Sequence, residues 1–129
     1  MIRNSLKEIR RIFLTGILTA SSLASTQPHE IAGCRPEDFV TGTEQNEIKV
    51  EGTTYGPKCL KVKINARVSI QASQRHPLKA MDEVNNPFAG EVFTSPQERT
   101  MSDPGVFGYY CDAHGDAEGD GMSGAILVE

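Results

Sequence analysis

The chain has 129 residues, 23% of them charged and 38% hydrophobic, with no Trp and a formal net charge of −4. A chain of that size builds one small domain, and its acidic balance disfavours nucleic acid and other polyanions as partners. No stretch reaches the ~18 uninterrupted apolar residues that a membrane span needs.

The N-terminus is set apart by composition. Arg3, Lys7, Arg10 and Arg11 precede a mild apolar run, Ile12 to Leu23, that closes on small residues at Ser22, Ala24 and Ser25. A basic start, an apolar middle and a small-residue exit are the layout of a cleavable export signal. Residues 1–24 are therefore predicted to be an export signal peptide and residues 25–129 the mature domain, outside the cytoplasm. Arg10-Arg11-Ile12-Phe13-Leu14-Thr15 resembles the twin-arginine export motif, although Ile9 stands where that motif has Ser or Thr, so ordinary secretion is the other route. An amphipathic helix opening the folded domain is the plain alternative. Cleavage after Ala24 leaves nine basic and sixteen acidic residues, a net charge of −7. Basic proteins become the favoured charged partners, because complementary charge speeds encounter.

Ser25 to Thr43 is irregular by pattern, with Pro28, Gly33, Pro36 and Gly42. Glu47 to Glu51 then alternates apolar and charged residues, as a half-buried strand does. Cys59 to Ile64 alternates again, which predicts Leu60, Val62 and Ile64 on one face. Asn65-Ala66-Arg67 reads as a hairpin connection to a third strand, Val68 to Ala72. His76 to Pro96 is broken by Pro77, Pro87, Gly90 and Pro96 and reads as a long connection with one helical turn around Leu78 to Val84. Glu98 to Ser102 is a further strand candidate, and Asp103-Pro104-Gly105 a tight turn. Val106 to Cys111 predicts a strand with Phe107, Tyr109 and Cys111 on one face, and Ala125 to Val128 the last strand, after a Gly-rich loop. Short strands at this spacing, with no long helix, predict an all-β, Greek-key β-sandwich.

Three cysteines occur, Cys34, Cys59 and Cys111, and an odd number in an exported protein leaves one to be explained. Cys111 is flanked by other metal-ligating residues, so Cys34 and Cys59 are expected to form a disulfide in an oxidising compartment, with two free buried thiols as the alternative.

The chemistry concentrates between Tyr109 and Val128, where Cys111, His114 and Met122 fall in one Gly-rich stretch. A thiolate, an imidazole and a thioether together suit copper better than a hard cation, because sulfur stabilises Cu(I) while imidazole serves both oxidation states. A trigonal copper site needs a second imidazole. Of the two other histidines, His29 lies just past the signal in an unpatterned segment, whereas His76 sits where a loop leaves the Val68 to Ala72 strand. Elimination leaves His76, and the set His76, Cys111, His114 and Met122 is the environment of a type 1 blue copper centre. Zinc is the main metal alternative, but structural zinc sites recruit more thiolates and seldom use Met. Met81 and Met101 read as adaptable core fillers.

With these residues in place the chain resembles the cupredoxins, the small blue copper proteins that include plastocyanin, amicyanin and azurin. The resemblance is closest over Val106 to Val128, where an aromatic strand, Cys111-x2-His114, Gly121-Met122-x-Gly124 and an apolar last strand follow the plastocyanin order. It implies one type 1 copper ion and one-electron shuttling between redox proteins outside the cytoplasm. The acidic balance suits a basic c-type cytochrome or an oxidoreductase as partner, and a periplasmic or otherwise extracytoplasmic monomer is expected. Two features depart from the family pattern. Seven residues separate His114 from Met122, more than in plastocyanin or amicyanin, which makes Met122 the least constrained ligand. Pro77 stands where the familiar members have Asn, and it can donate no backbone hydrogen bond to brace the thiolate. Asp112, Asp116, Glu118 and Asp120 surround the ligands, and no Lys or Arg follows Arg99. They read first as a solvated loop, with partner steering the sharper alternative. A copper carrier or storage module, and an interaction module with a vestigial site, are the competing functions. An enzyme is disfavoured, since no histidines remain for a second metal and no nucleophile-base pair is evident.

Overall fold

The computed structural model describes residues 30–129; the predicted export signal, residues 1–24, and His29 lie outside the described residues. A 3-10 turn, Pro36–Asp38, precedes nine strands: β1 Val40–Thr41, β2 Gln45–Glu51, β3 Thr54–Gly56, β4 Cys59–Val62, β5 Arg67–Ile70, β6 Leu78–Ala80, β7 Gln97–Thr100, β8 Gly105–Gly115 and β9 Gly121–Val128. They form two sheets, ordered β1-β4-β9-β8-β6 and β3-β2-β5-β7. The all-β sandwich expected from the alternating segments is the observed architecture, and no helix among the described residues is long and apolar enough to cross a membrane.

Alternation decides which side chains fill the space between the sheets. Ile48, Val68, Ile70, Leu78, Tyr109, Cys111, Met122 and Ile126 are all buried in one continuous core. Met101 lies in it as expected, while Met81 is only partly buried and packs outside it. Ile64 departs from its predicted place. Strand β4 stops at Val62, Asn65 takes a left-handed φ of 77°, and Ile64 is left exposed.

Two further expectations are corrected. Asn65-Ala66-Arg67 is a crossing between sheets, not a hairpin: β4 pairs with β9 in one sheet, and β5 pairs in parallel with β2 in the other. Leu78 to Ala80 is a strand bonded to β8, where one helical turn was predicted, because its two buried residues, Leu78 and Ala80, alternate with Lys79. Beyond it, Arg99 stacks its guanidinium 5.4 Å from the Phe88 ring and 5.3 Å from the Phe93 ring, and its Nε donates to the Pro87 carbonyl at 3.0 Å. That clamp holds the proline-broken connection on β7.

Cys34 and Cys59 form the expected disulfide, with Cα atoms 5.8 Å apart, and Cys111 is the free, buried thiol. The cross-link joins the N-terminal segment to β4. It sits in a second apolar cluster, made by Ala32, Cys34, Cys59 and Ala125, with Ile31, Phe39, Met81 and Val106 packed against it.

Inside the main core, the rings of Tyr55 and Tyr109 meet edge to face at 4.9 Å. Both hydroxyls are buried, and neither has a hydrogen-bond partner among the described residues. Burial pushes both phenols well above their ordinary range, so they stay neutral. A buried hydroxyl without a partner costs about 1–3 kcal/mol. Tyr109→Phe should therefore be neutral or raise stability by about 1 kcal/mol in denaturant unfolding, where a buried Tyr with a made bond would lose stability on the same change.

Candidate metal centre

The centre is built on an irregularity in the β8–β9 hairpin. Tyr110 pairs with Ser123, the register then shifts, and pairing resumes at Gly115 with Gly121. Between those two pairs lie Cys111 to His114 on one strand and Met122 alone on the other. Extra residues on one strand bend it and re-aim its side chains, which is how a bulge serves a functional site. The stretch read from sequence as a Gly-rich loop is thus mostly strand, and only Asp116 to Asp120 forms the turn. Asp116 organises that turn: its Oδ1 accepts the backbone N–H of Glu118 at 3.0 Å and of Asp120 at 3.1 Å.

The pair Gly115 and Gly121 closes the hairpin tightly. A methyl group added at Gly115 would lie 2.5 Å from the Met122 carbonyl oxygen, and one added at Gly121 would run into the carbonyl of His114. Gly121 also has φ 74°, which side chains disfavour. This close approach brings Met122 back opposite Cys111 to His114 in spite of the seven intervening residues.

His76 comes from the other side. It follows β5 in a turn locked by two bonds with Ser73, whose N–H donates to the His76 carbonyl at 3.1 Å and whose Oγ accepts the His76 N–H at 3.1 Å. Pro77 has no N–H, but its carbonyl accepts the Asp112 N–H at 2.9 Å, and Leu78 pairs directly with Cys111. The proline nitrogen can give nothing to the sulfur, but its oxygen ties the His76 turn to β8 beside Cys111. Ser73 and the Gly115–Gly121 pair are the supporting residues that sequence reading missed, and the paired glycines flanking the acidic turn were the available signal; Pro77, read only as a lost donor, acts through its carbonyl.

The three donor atoms converge. Cys111 Sγ lies 3.8 Å from His76 Nδ1 and 3.5 Å from His114 Nδ1, and all three atoms fall within 4.8 Å of one another. The imidazole rings stand 5.0 Å apart and tilted by 42°. Nitrogen and thiolate donors held at about 2.0 and 2.3 Å from one ion, with bonds diverging by about 120°, would stand about 3.7 Å apart. The two sulfur–nitrogen separations suit such an ion. Cys111 is fully buried, His76 half-buried and His114 exposed, so the site is closed at the sulfur and opens to solvent chiefly at His114. Met122 is buried in the same core as Cys111.

Burial, the neighbouring His114 and Arg75 hold the His76 imidazole below its ordinary pKa of 6.5. A neutral imidazole is the form that ligates. In the metal-free protein, NMR should place the His76 titration below 6.5. The folded state then binds this proton less readily than the unfolded chain, so the contribution of His76 to stability is intact above pH ~6.5 and declines as pH falls through that value. A denaturation midpoint that rises on acidification from pH 7 to 5.5 would contradict this sign.

No protein-family model matches the sequence, and no curated protein does. Solved structures do match its fold. The copper-containing nitrite reductase of Thermus scotoductus SA-01 superimposes with a TM-score of 0.52 at 17% identity, over 72% of this chain and 28% of that one. A pseudoazurin from Sinorhizobium meliltoi gives 0.51 at 22% identity, over 70% and 75%. The Cu(I) form of an amicyanin variant gives 0.51 at 17% identity, over 68% and 85%. The chain spans little more than a quarter of the nitrite reductase, so that likeness concerns one portion of the larger chain. The chain has a cupredoxin-like fold.

Proposed function

We propose that this chain is an exported blue copper protein that carries single electrons between redox partners, with one type 1 copper ion held by His76, Cys111 and His114 and, as a weak fourth ligand, Met122. The observation that carries the reading is the convergence of one buried sulfur and two imidazole nitrogens at separations that suit one ion. A thiolate with two imidazoles is the donor set of blue copper sites. Copper, when bound, supplies one-electron cycling between Cu(II) and Cu(I).

The protein's part is to hold the donors still. Cys111 and Met122 are fixed by the β8–β9 hairpin, His76 by its bonds to Ser73 and the Pro77–Asp112 link, so little needs to move when the charge at the site changes. The buried thiolate keeps water from the sulfur side, and the exposed His114 edge offers the shortest approach for a partner. The predicted signal in residues 1–24 supports a periplasmic location, where the disulfide would persist.

The test is anaerobic mixing of the Cu(I)-loaded protein with an oxidised basic c-type cytochrome. One equivalent of cytochrome should be reduced while the metal stays bound; copper leaving the protein would favour the carrier reading instead. Asp112, Glu118 and Asp120 are exposed around His114, while Asp116 is committed to its turn. Raising ionic strength from 10 to 200 mM shortens the screening length from about 30 Å to below 10 Å, so the reaction should slow severalfold. A salt-independent rate would remove the steering role of these acids.

A further inference from the structure

The Asp116–Asp120 turn does not stand free at the end of the hairpin. A methyl group added at Gly119 would lie 3.0 Å from Ala32 Cα, 3.1 Å from Ala32 N and 3.7 Å from Met81 Cε. Backbone therefore rests on backbone, between the tip of the ligand hairpin and the N-terminal segment.

That segment is held firmly. Ala32 is 2% exposed and adopts φ 58°, which is uncommon for a residue with a side chain and persists where the surroundings dictate it. The turn around it is closed by the Cys34 N–H to the Ile31 carbonyl at 2.9 Å, and the Cys34–Cys59 disulfide ties it to the start of β4. Ile31 and Met81 wedge it against β8: a methyl at Gly108 would meet Ile31 Cγ2 at 2.6 Å and Met81 Sδ at 2.5 Å. On the hairpin side, Gly119 is bonded towards both ligand segments. Its N–H donates to the Asp116 carbonyl at 3.0 Å, two residues beyond His114, and its carbonyl accepts Ser123 Oγ at 2.8 Å, next to Met122.

Resting on the copper reading above, we propose that the Cys34–Cys59 disulfide and the Ile31–Cys34 turn are a positioning element of the metal centre, which pins Gly119 and thereby sets His114 against Met122. The long spacing between those two residues leaves a hairpin tip of five residues beyond the Gly115–Gly121 pair. The bonds of Asp116 shape that tip, and the N-terminal element adds the contact that holds it against the rest of the domain and limits its fraying. None of the positioning residues touches the metal donors; they act through the turn.

The test reads the hairpin itself. Amide exchange is followed in the metal-free protein for wild type, for Cys34→Ser/Cys59→Ser and for Ile31→Ala, which loosens the N-terminal turn with the cross-link intact. Asp116 and Gly119 amides should exchange about tenfold faster in both variants, while Gln71, bonded to Ile48 in the other sheet, keeps its wild-type rate. Ile31→Val should restore slow exchange. Unchanged exchange at Asp116 and Gly119 in the variants would overturn the proposal, as would an equal rise at Gln71, which reports general loosening. Should the double serine variant fail to fold, Ile31→Ala decides alone. With copper added, the folded variants should show an altered ratio of thiolate-to-copper bands and a shifted reduction potential. A wild type that takes up no copper would sink the copper reading, and the exchange result would still decide the positioning.

Discussion

Adding Cu(II) to the metal-free protein should produce an intense blue or green absorption, and Cys111→Ser should abolish it. The colour of such a centre arises from charge transfer between thiolate sulfur and copper, which a serine oxygen cannot supply. The loss of affinity should exceed about a hundredfold, the upper end of what substitutions outside the ligand shell alone cause. The fold should survive the change. Cys111 is fully buried, but serine is no larger, and its hydroxyl would face His76 Nδ1 and His114 Nδ1, either of which can serve as partner. Absorption spectra and copper titrations of the two proteins, with circular dichroism as the control for folding, make the comparison. A wild type that stays colourless with one equivalent of Cu(II) would remove the proposed function, and a variant that keeps the band would remove Cys111 as its source.

Gly121→Ala should cost about 3 kcal/mol, because a left-handed φ disfavours a side chain by about 1–2 kcal/mol and a close contact adds about 1–3 kcal/mol. The contact is specific: the new methyl would press on the His114 carbonyl and lie 3.2 Å from Gly115 Cα. Gly52→Ala is the matched control. Gly52 has a similar φ of 64°, yet a methyl there meets nothing within 4 Å, so only the conformational cost of about 1 kcal/mol applies. In a domain of this size the midpoint of thermal unfolding should fall by roughly 10–20 °C for Gly121→Ala and by about a third of that for Gly52→Ala. Equal shifts would mean that the strand approach at the ligand hairpin is not tight. Copper affinity separates the two further, since only Gly121 adjoins Met122.

Much of the site was legible because metal chemistry restricts residue type. Few side chains offer soft or borderline donors, and in this chain counting cysteines and histidines singled out Cys111, His114 and His76 before any geometry was known. The strands were legible for a similar reason: Glu47 to Glu51 and Val68 to Ala72 alternate because one face must be dry. The hairpin read at Asn65-Ala66-Arg67 failed because adjacent strands joined by a short turn can pair or can cross between sheets, and alternation is the same in both cases. The helical turn read around Leu78 to Val84 failed because the segment is short and the strand that forms there, Leu78–Ala80, has too little period to be told from helix.

The amino-acid sequence by itself determined which atoms this protein can offer to a metal, since composition limits the donors, and that the chain must form a sandwich, since alternating burial demands two faces. Only the tertiary structure decided how those atoms meet. Four residues of β8 stand opposite Met122, Pro77 braces Asp112 through its oxygen, and the turn of the hairpin rests on the disulfide-tied N-terminal segment. Register, bulges and backbone-to-backbone contacts of that kind depend on residues far apart in the chain, and a local pattern holds no record of them.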